Sequence, residues 1–182
     1  MRDYISINRA NNLHPLDRKD FIAAIDEAEA KFPKSTAVRI IQDLRTVDEQ
    51  NGLYALGRTK INPDGRSATK PMGNIVTNAK GGQSYHNYGL AIDFAILYDL
   101  DGNGTYETLS WDLAKDYDKD GEADWMEVVD TFKKRGFEWG GDWHSLKDNP
   151  HFQRTHGYTV GQLFDLYTRK QFIQGTPFLN IK

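Results

Sequence analysis

Cysteine is absent from the chain, which excludes disulfides and thiolate metal sites, so any transition metal must be held by histidine or carboxylate. No apolar run approaches the length of a membrane span, so no membrane insertion is expected. Residues 1–8 lack the apolar segment of a secretory signal. The expectation is a protein made in the cytosol that reaches any outside substrate only after release or export. Repeats of solenoid length and low-complexity tracts are missing, as is any separate binding module. With a net charge of −3, no nucleic-acid partner is expected either.

What is present is 182 residues, enough for one domain with a proper core, expected to span 1–182 as a monomer. Aromatic residues make up 12%, which reads as globular rather than disordered. The charge is unevenly spread. Residues 99–130 hold eleven acidic side chains against Lys115 and Lys119, a net of −9, and the remainder is +6. Such an island repels itself unless cations neutralise it. The basic remainder suits a polyanionic surface as well as it suits an ordinary solvated one.

Hydrophobic spacing predicts a helix over Asp17–Phe32, stopped by Pro33, with Phe21, Ile22, Ile25, Ala28 and Phe32 on one face. A β-branched strand follows over Thr36–Leu44. Thr46 and Glu49 fit a capping box, which predicts a helix from Val47 to Leu56 closed by Gly57. Residues 60–74 are turn-rich and polar and read as one long loop, a length often found in functional lids. Leu90–Tyr98 reads as a central strand, with Thr105–Trp111 as its hairpin partner. Helices are expected over Ala123–Arg135 and Val160–Lys170, the second packing through Leu163, Phe164, Leu166 and Tyr167. The tail 171–182 reads as a closing strand. The fold class is therefore α+β: a mostly antiparallel sheet with helices packed to one side.

Two short stretches carry the chemistry. Ser84-Tyr85-His86-Asn87-Tyr88-Gly89-Leu90-Ala91-Ile92-Asp93 offers an imidazole and a carboxylate, and Asp148-Asn149-Pro150-His151 offers another of each. Two imidazoles and a carboxylate suit Zn²⁺, which in catalytic sites takes three protein ligands and leaves a position for water. Asp148, three residues before His151, stands where a carboxylate could deprotonate that water. The seven-residue offset from His86 to Asp93 would put them on opposite faces of one strand. A turn near Gly89 is therefore expected, with His86 in the loop and Asp93 on the strand. His144 is read as a surface residue, or as an alternative second imidazole.

The pattern Ser84-x-His86-x-x-Gly89-x-Ala91-x-Asp93 with Asp148-x-Pro150-His151-Phe152 resembles the LAS zinc peptidases. That group includes D-Ala-D-Ala carboxypeptidases and dipeptidases and the L-alanyl-D-glutamate endopeptidases of phage endolysins and cell-wall hydrolases. Arg45-Thr46-x-x-Glu49-Gln50, Val76-Thr77-Asn78-Ala79-x-Gly81-Gly82 and Trp139-Gly140-Gly141-Asp142-Trp143 look like the endopeptidase branch. The resemblance implies zinc held by His86, Asp93 and His151, with Asp148 as general base and Arg45 steadying the oxyanion. It also implies Gln50 and Ser84 lining the cleft and peptidoglycan stem peptides as substrate. The 60–74 loop and the acidic island are departures from the shorter members.

Asp116-x-Asp118-x-Asp120-Gly121-Glu122-x-Asp124-x-x-Glu127 matches the twelve-residue EF-hand loop, with the backbone carbonyl of Glu122 at position 7. Calcium is therefore expected there, as a switch or a stabiliser. Asp99-x-Asp101-x-Asn103-Gly104 begins in the same way, but Ser110 stands where the bidentate glutamate belongs, and a simple hairpin turn explains it equally. The leading expectation is a zinc-dependent L-alanyl-D-glutamate endopeptidase. Its rivals are a D,D-carboxypeptidase or dipeptidase on the same scaffold and a non-catalytic zinc- and calcium-binding module like the hedgehog signalling domain.

Overall fold

The structure, a computed structural model, describes residues 1–59 and 72–182. The long loop expected over 60–74 lies, up to residue 71, outside the described residues. The chain divides into two compact units, Met1–Leu44 with Gly89–Arg154 and Arg45–Tyr88 with Thr155–Lys182.

The first unit is built on an antiparallel sheet of β1 (Thr36–Gln42), β2 (Ala91–Tyr98), β3 (Thr108–Ser110), β4 (Glu138–Trp139) and β5 (His151–Gln153). The order is β1-β2-β5-β4, with β3 also paired to β2. β1 runs along one edge of β2, while the other edge is shared by β5 at Ala91–Asp93 and by β3 at Ile96–Tyr98. Apolar residues at every second position give the sheet a core face. Val38, Ile40, Ile92, Phe94, Ile96, Tyr98 and Phe152 pack there against Phe21, Ala24, Ile25 and Ala28 of α2 (Pro15–Lys31) and Trp125, Val128, Val129 and Phe132 of α4 (Asp124–Lys134). Rings interlock at its centre: Phe132 stacks on Phe152 at 4.3 Å, and Phe94 meets Trp125 at 4.3 Å between centroids. The expected α+β class, antiparallel sheet and helix-covered face are all present.

Local chemistry explains the ends of the elements. Pro15 sits in the first turn of α2, where a missing N–H costs nothing, and the His14 side chain caps the helix by accepting the Leu16 N–H. Buried Asp17 on the same helix accepts from Arg154 at 2.8 Å, so its charge is paired. A short helix α1 (Tyr4–Ala10), which the sequence reading omitted, is capped by Asp3 and donates the Ser6 hydroxyl to it. The register of β1 slips between Ile40 and Gln42, which brings Gln42 opposite Asp93. Arg9 satisfies the Ile41 carbonyl at this bulge at 2.7 Å.

In the second unit, α3 (Val47–Ala55) begins with the expected capping box, both bonds made, and Gly57 follows it in the left-handed region at φ 67°. The final helix α5 (Val160–Thr168) buries Leu163 completely, but Phe164 and Tyr167, expected to pack, stay more than a third exposed. The tail is a correction. Instead of a strand it forms one bridge, Phe172 to Leu179, because Gly175 turns left-handed and Pro177 offers no N–H to a ladder.

Candidate active site

The period of two that sends Ile92, Phe94 and Phe152 into the core sends their neighbours to the other face of the sheet. Asp93 and His151 are direct partners across β2 and β5, and Gln153 lies two residues on from His151, on the same face. His151 is buried, and its Nδ1 stands 3.1 Å from Asp93 Oδ1. Its Nε2 stands 3.0 Å from Gln153 Oε1, and Gln153 Nε2 donates to Glu138 Oε2 at 2.9 Å. Burial disfavours a charged His151 ring. The hydrogen bond and charge of Asp93 outweigh that, with help from Gln153 and Asp148, and the imidazole pKa is held above its ordinary value.

The Trp139–Trp143 segment forms the wall behind this pair. The Gly140 carbonyl accepts the Asp148 N–H at 3.1 Å, and the Asp148 carbonyl accepts the His151 N–H at 3.1 Å. The Pro150 carbonyl accepts the Phe94 N–H at 3.0 Å, which ties the loop to β2. Trp139 donates its indole N–H to the Asn149 carbonyl at 2.7 Å, and Trp143 lies 5.2 Å from the His151 ring. Asp148 itself is half-buried, whereas His144 is exposed, as a surface residue should be. Sequence reasoning missed Gln153 and Glu138. A signal was available for Gln153, which lies two residues from His151 on one strand face, but not for Glu138, which becomes its register partner only when β4 pairs with β5.

In the second unit the fully buried Gln50 accepts from Arg45 Nη1 at 2.8 Å and donates to the Ala79 carbonyl at 2.8 Å. With its amide thus committed, Gln50 holds Arg45 rather than facing a cleft. Ser84 begins a 3-10 turn (Tyr85–Tyr88), accepting the Asn87 N–H at its carbonyl and the His86 N–H at its hydroxyl. His86 is buried, and its carbonyl accepts the Arg45 N–H at 3.0 Å. Asn87, also overlooked, clamps this corner. Its amide donates to the Arg45 carbonyl at 2.9 Å while its oxygen accepts from Gly82 N–H at 2.9 Å. Gly89 then turns left-handed at φ 69° and β2 begins, as the spacing of His86 and Asp93 required.

The acidic island folds as two loops. Asp116, Asp118 and Asp124 each present an oxygen within 4.8 Å of the others. Asp116 accepts the Lys119 and Gly121 N–H groups at 2.7 and 3.0 Å, and Asp124 accepts the Tyr98 hydroxyl. Glu127 is 3% exposed, and its Oε2 has no hydrogen-bond partner among the described residues. Burial, then the charge of Asp120, push its pKa up to about 7. In the upstream loop Asp99, Asp101 and Glu107 also lie within 4.8 Å, Glu107 being a member that the sequence reading did not include. Asp99 is nevertheless engaged by the N–H groups of Gly102, Asn103 and Gly104, as in a hairpin turn.

The raised Glu127 pKa has a measurable consequence. A carboxyl whose folded pKa exceeds its unfolded value binds more protons when folded, so stability falls as pH rises between the two. In chelator, about 3 kcal/mol is expected to be lost from pH 4.5 to 7, at 1.36 kcal/mol per unit. Glu127→Gln should remove that slope in urea titrations across the same range.

An acid–imidazole pair on a sheet, its imidazole buried, with a further carboxylate on the adjoining loop, is the equipment of a hydrolase, and comparison with known proteins makes the class peptidase. Residues 77–154 match the family described as D-alanyl-D-alanine carboxypeptidase. The chain is 44% identical over 143 residues to the peptidoglycan L-alanyl-D-glutamate endopeptidase CwlK of Bacillus subtilis, covering 79% of this chain and 74% of that protein. It is 37% identical over 106 residues to an L-alanyl-D-glutamate peptidase of Listeria phage A118, of which it spans 32%. Among solved structures, the L-Ala D-Glu endopeptidase ChiX of Serratia marcescens shares the fold with a TM-score of 0.50 at 20% identity, covering 84% of this chain and 87% of that one. The chain belongs to the M15 family of peptidases. Among the described residues, no helix is long and apolar enough to cross a membrane.

Proposed function

We propose that this protein is a zinc-dependent peptidoglycan endopeptidase that hydrolyses the L-alanyl-D-glutamate bond of stem peptides. The observation that carries the reading is the Asp93–His151 pair, set opposite each other in the sheet with Asp148 on the loop that leads into it. Zinc ligands about 2 Å from the ion stand about 3.3 Å apart at tetrahedral angles, close to the Asp93–His151 separation of 3.1 Å. His86, buried and held through its backbone, supplies the second imidazole of the proposed ligand set. With two nitrogens, one carboxylate oxygen and no sulfur, the set suits zinc with a position left for water.

When bound, zinc supplies acidity to a water and polarity to the scissile carbonyl. Asp148 takes the water's proton at its carboxylate and returns it to the leaving D-glutamate amine as the amide C–N bond breaks. Arg45, its guanidinium fixed by Gln50, stabilises the oxyanion. Ser84 shapes the turn that presents His86.

Calcium is the second ion of this proposal, held by Asp116, Asp118, Asp120, the Glu122 carbonyl, Asp124 and Glu127. Support comes from the clustered oxygens and from the orphaned, buried Glu127 oxygen, which a divalent cation would satisfy. The upstream loop, with its Asp99 already bonded to backbone N–H groups, is the weaker of the two. The protein acts on the wall as one peptidase domain and a monomer.

A D,D-carboxypeptidase is the second reading, favoured by the description of the family that residues 77–154 match. Mass spectrometry of fragments released from purified sacculi separates the two. New amino-terminal D-glutamate is expected; release of free D-alanine instead would mean the carboxypeptidase.

A further inference from the structure

Arg45 has its backbone held on both sides by the turn that carries His86. Its N–H donates to the His86 carbonyl at 3.0 Å, and its carbonyl accepts from Asn87 Nδ2 at 2.9 Å. The same Nδ2 reaches the Thr46 carbonyl at 3.3 Å. Thr46 is the N-cap of α3, and its carbonyl also accepts the N–H of Gln50, whose side chain grips Arg45 Nη1. The other half of the Asn87 amide faces a different segment. Its Oδ1 accepts the Gly82 N–H at 2.9 Å and the Ser84 N–H at 3.3 Å. Gly82 is itself pinned: the Tyr88 hydroxyl donates to its carbonyl at 2.7 Å, and the Phe164 ring fills the space that a Cβ there would need.

Four backbone groups of known sense thus surround one side chain. Two N–H groups only donate and two carbonyls only accept, which fixes the amide's orientation and demands a group with both functions. An ionised aspartate of the same size would keep the Gly82 and Ser84 bonds and lose the other two. Asn87 is 7% exposed and gives all four bonds to backbone, so it acts through its neighbours rather than on a substrate.

We propose that Asn87 is a positioning residue that locks Arg45 to the turn carrying His86. It does so at the Arg45 backbone directly, and at the guanidinium through the start of α3 and the grip of Gln50. This role rests on the oxyanion and zinc readings above and adds to them the side chain that ties Arg45 to the His86 turn. A cation aimed in advance at the developing oxyanion needs no reorganisation during reaction, and its worth depends on that aim.

The test uses the whole chain and a soluble peptide containing the L-alanyl-D-glutamate bond, with zinc per chain and urea stability measured in parallel. Asn87→Asp should fold, keep its zinc and lose about 10²-fold in kcat, the worth of a misplacement of about 1 Å. KM should stay within about threefold, because the lost contact belongs to the transition state. In an Arg45→Ala background the same substitution should cost at least about tenfold less, since the group it aims is gone. A general loss of structure would cost the same in both backgrounds. Asn87→Ser, uncharged and too short to span the clamp, should repeat the pattern and carries the test if Asn87→Asp does not fold. A folded variant with kcat within about tenfold of the parent overturns the proposal. So does a loss that shrinks by less than about tenfold in the Arg45→Ala background. Zinc lost from a folded variant overturns it too, since the role would then lie in metal binding. Undiminished kcat in Arg45→Ala alone overturns the oxyanion reading, and a parent that leaves the bond intact overturns the endopeptidase reading. Both results are distinct from a failure of the clamp.

Discussion

Asp148→Ala is expected to fold, to retain one zinc per chain, and to lose hydrolysis of sacculi by about 10²–10⁴-fold, the usual worth of a general base. Three features make the substitution clean. The backbone of Asp148 does the structural work: its N–H bonds to the Gly140 carbonyl and its carbonyl accepts the His151 N–H. Alanine keeps both bonds. The side chain is half-buried, so its loss leaves no sealed cavity. Finally, Asp148 lies outside the proposed ligand set, so zinc content measured by mass spectrometry should not change. Asp148→Asn is the sharper variant, because it keeps volume and polarity and removes only the ability to accept a proton. Activity within threefold of the parent in both variants would sink the assignment of the base.

The sequence carried the pieces of this site unevenly, for physical reasons. Asp93 and His151 stand out because the apolar alternation of β2 and β5 breaks at them: a carboxylate and an imidazole occupy positions facing away from Phe94 and Phe152. Capping chemistry is local, so α3 was legible to within a residue from Thr46 and Glu49. Gln50 was read as cleft-lining from the family resemblance, which carries no information about its local burial. Its complete burial depends on Arg45 and Ala79, the second of these 29 residues away. Glu138 was invisible for the same reason, since its role exists only once β4 lies beside β5. The tail misled because isolated apolar residues at 172, 173, 178 and 179 imitate a strand, while Gly175 and Pro177 decide the backbone. Short-range rules thus picked out the carboxylates and imidazoles of the proposed ligand set, and long-range pairing supplied the groups that aim them.

Gly140→Ala should show how tightly that aim is set. A Cβ built on Gly140 would stand 2.4 Å from the Asp148 carbonyl oxygen, 3.0 Å from Asp148 Cβ and 3.1 Å from His151 Cβ. The first neighbour is backbone, so no side-chain rotation relieves the overlap, and the 148–151 loop must move. Overpacking of this kind costs about 1–3 kcal/mol of stability. The functional loss should be larger, because a displacement of about 1 Å in a reacting group is worth about 10²-fold in rate. Gly136 provides the control. It adopts φ 82° with nothing within 4 Å of its built Cβ, so alanine there meets backbone strain alone. Gly136→Ala should lose about 1–2 kcal/mol in urea unfolding and keep its turnover on sacculi. Gly140→Ala should lose a similar amount of stability together with about 10²-fold in turnover and a weakened hold on zinc. Equal turnover in the two variants would mean that the position of Asp148 and His151 is not what catalysis depends on. A selective loss at Gly140 would tie the rate to that loop, because only there does the new methyl group strike other atoms.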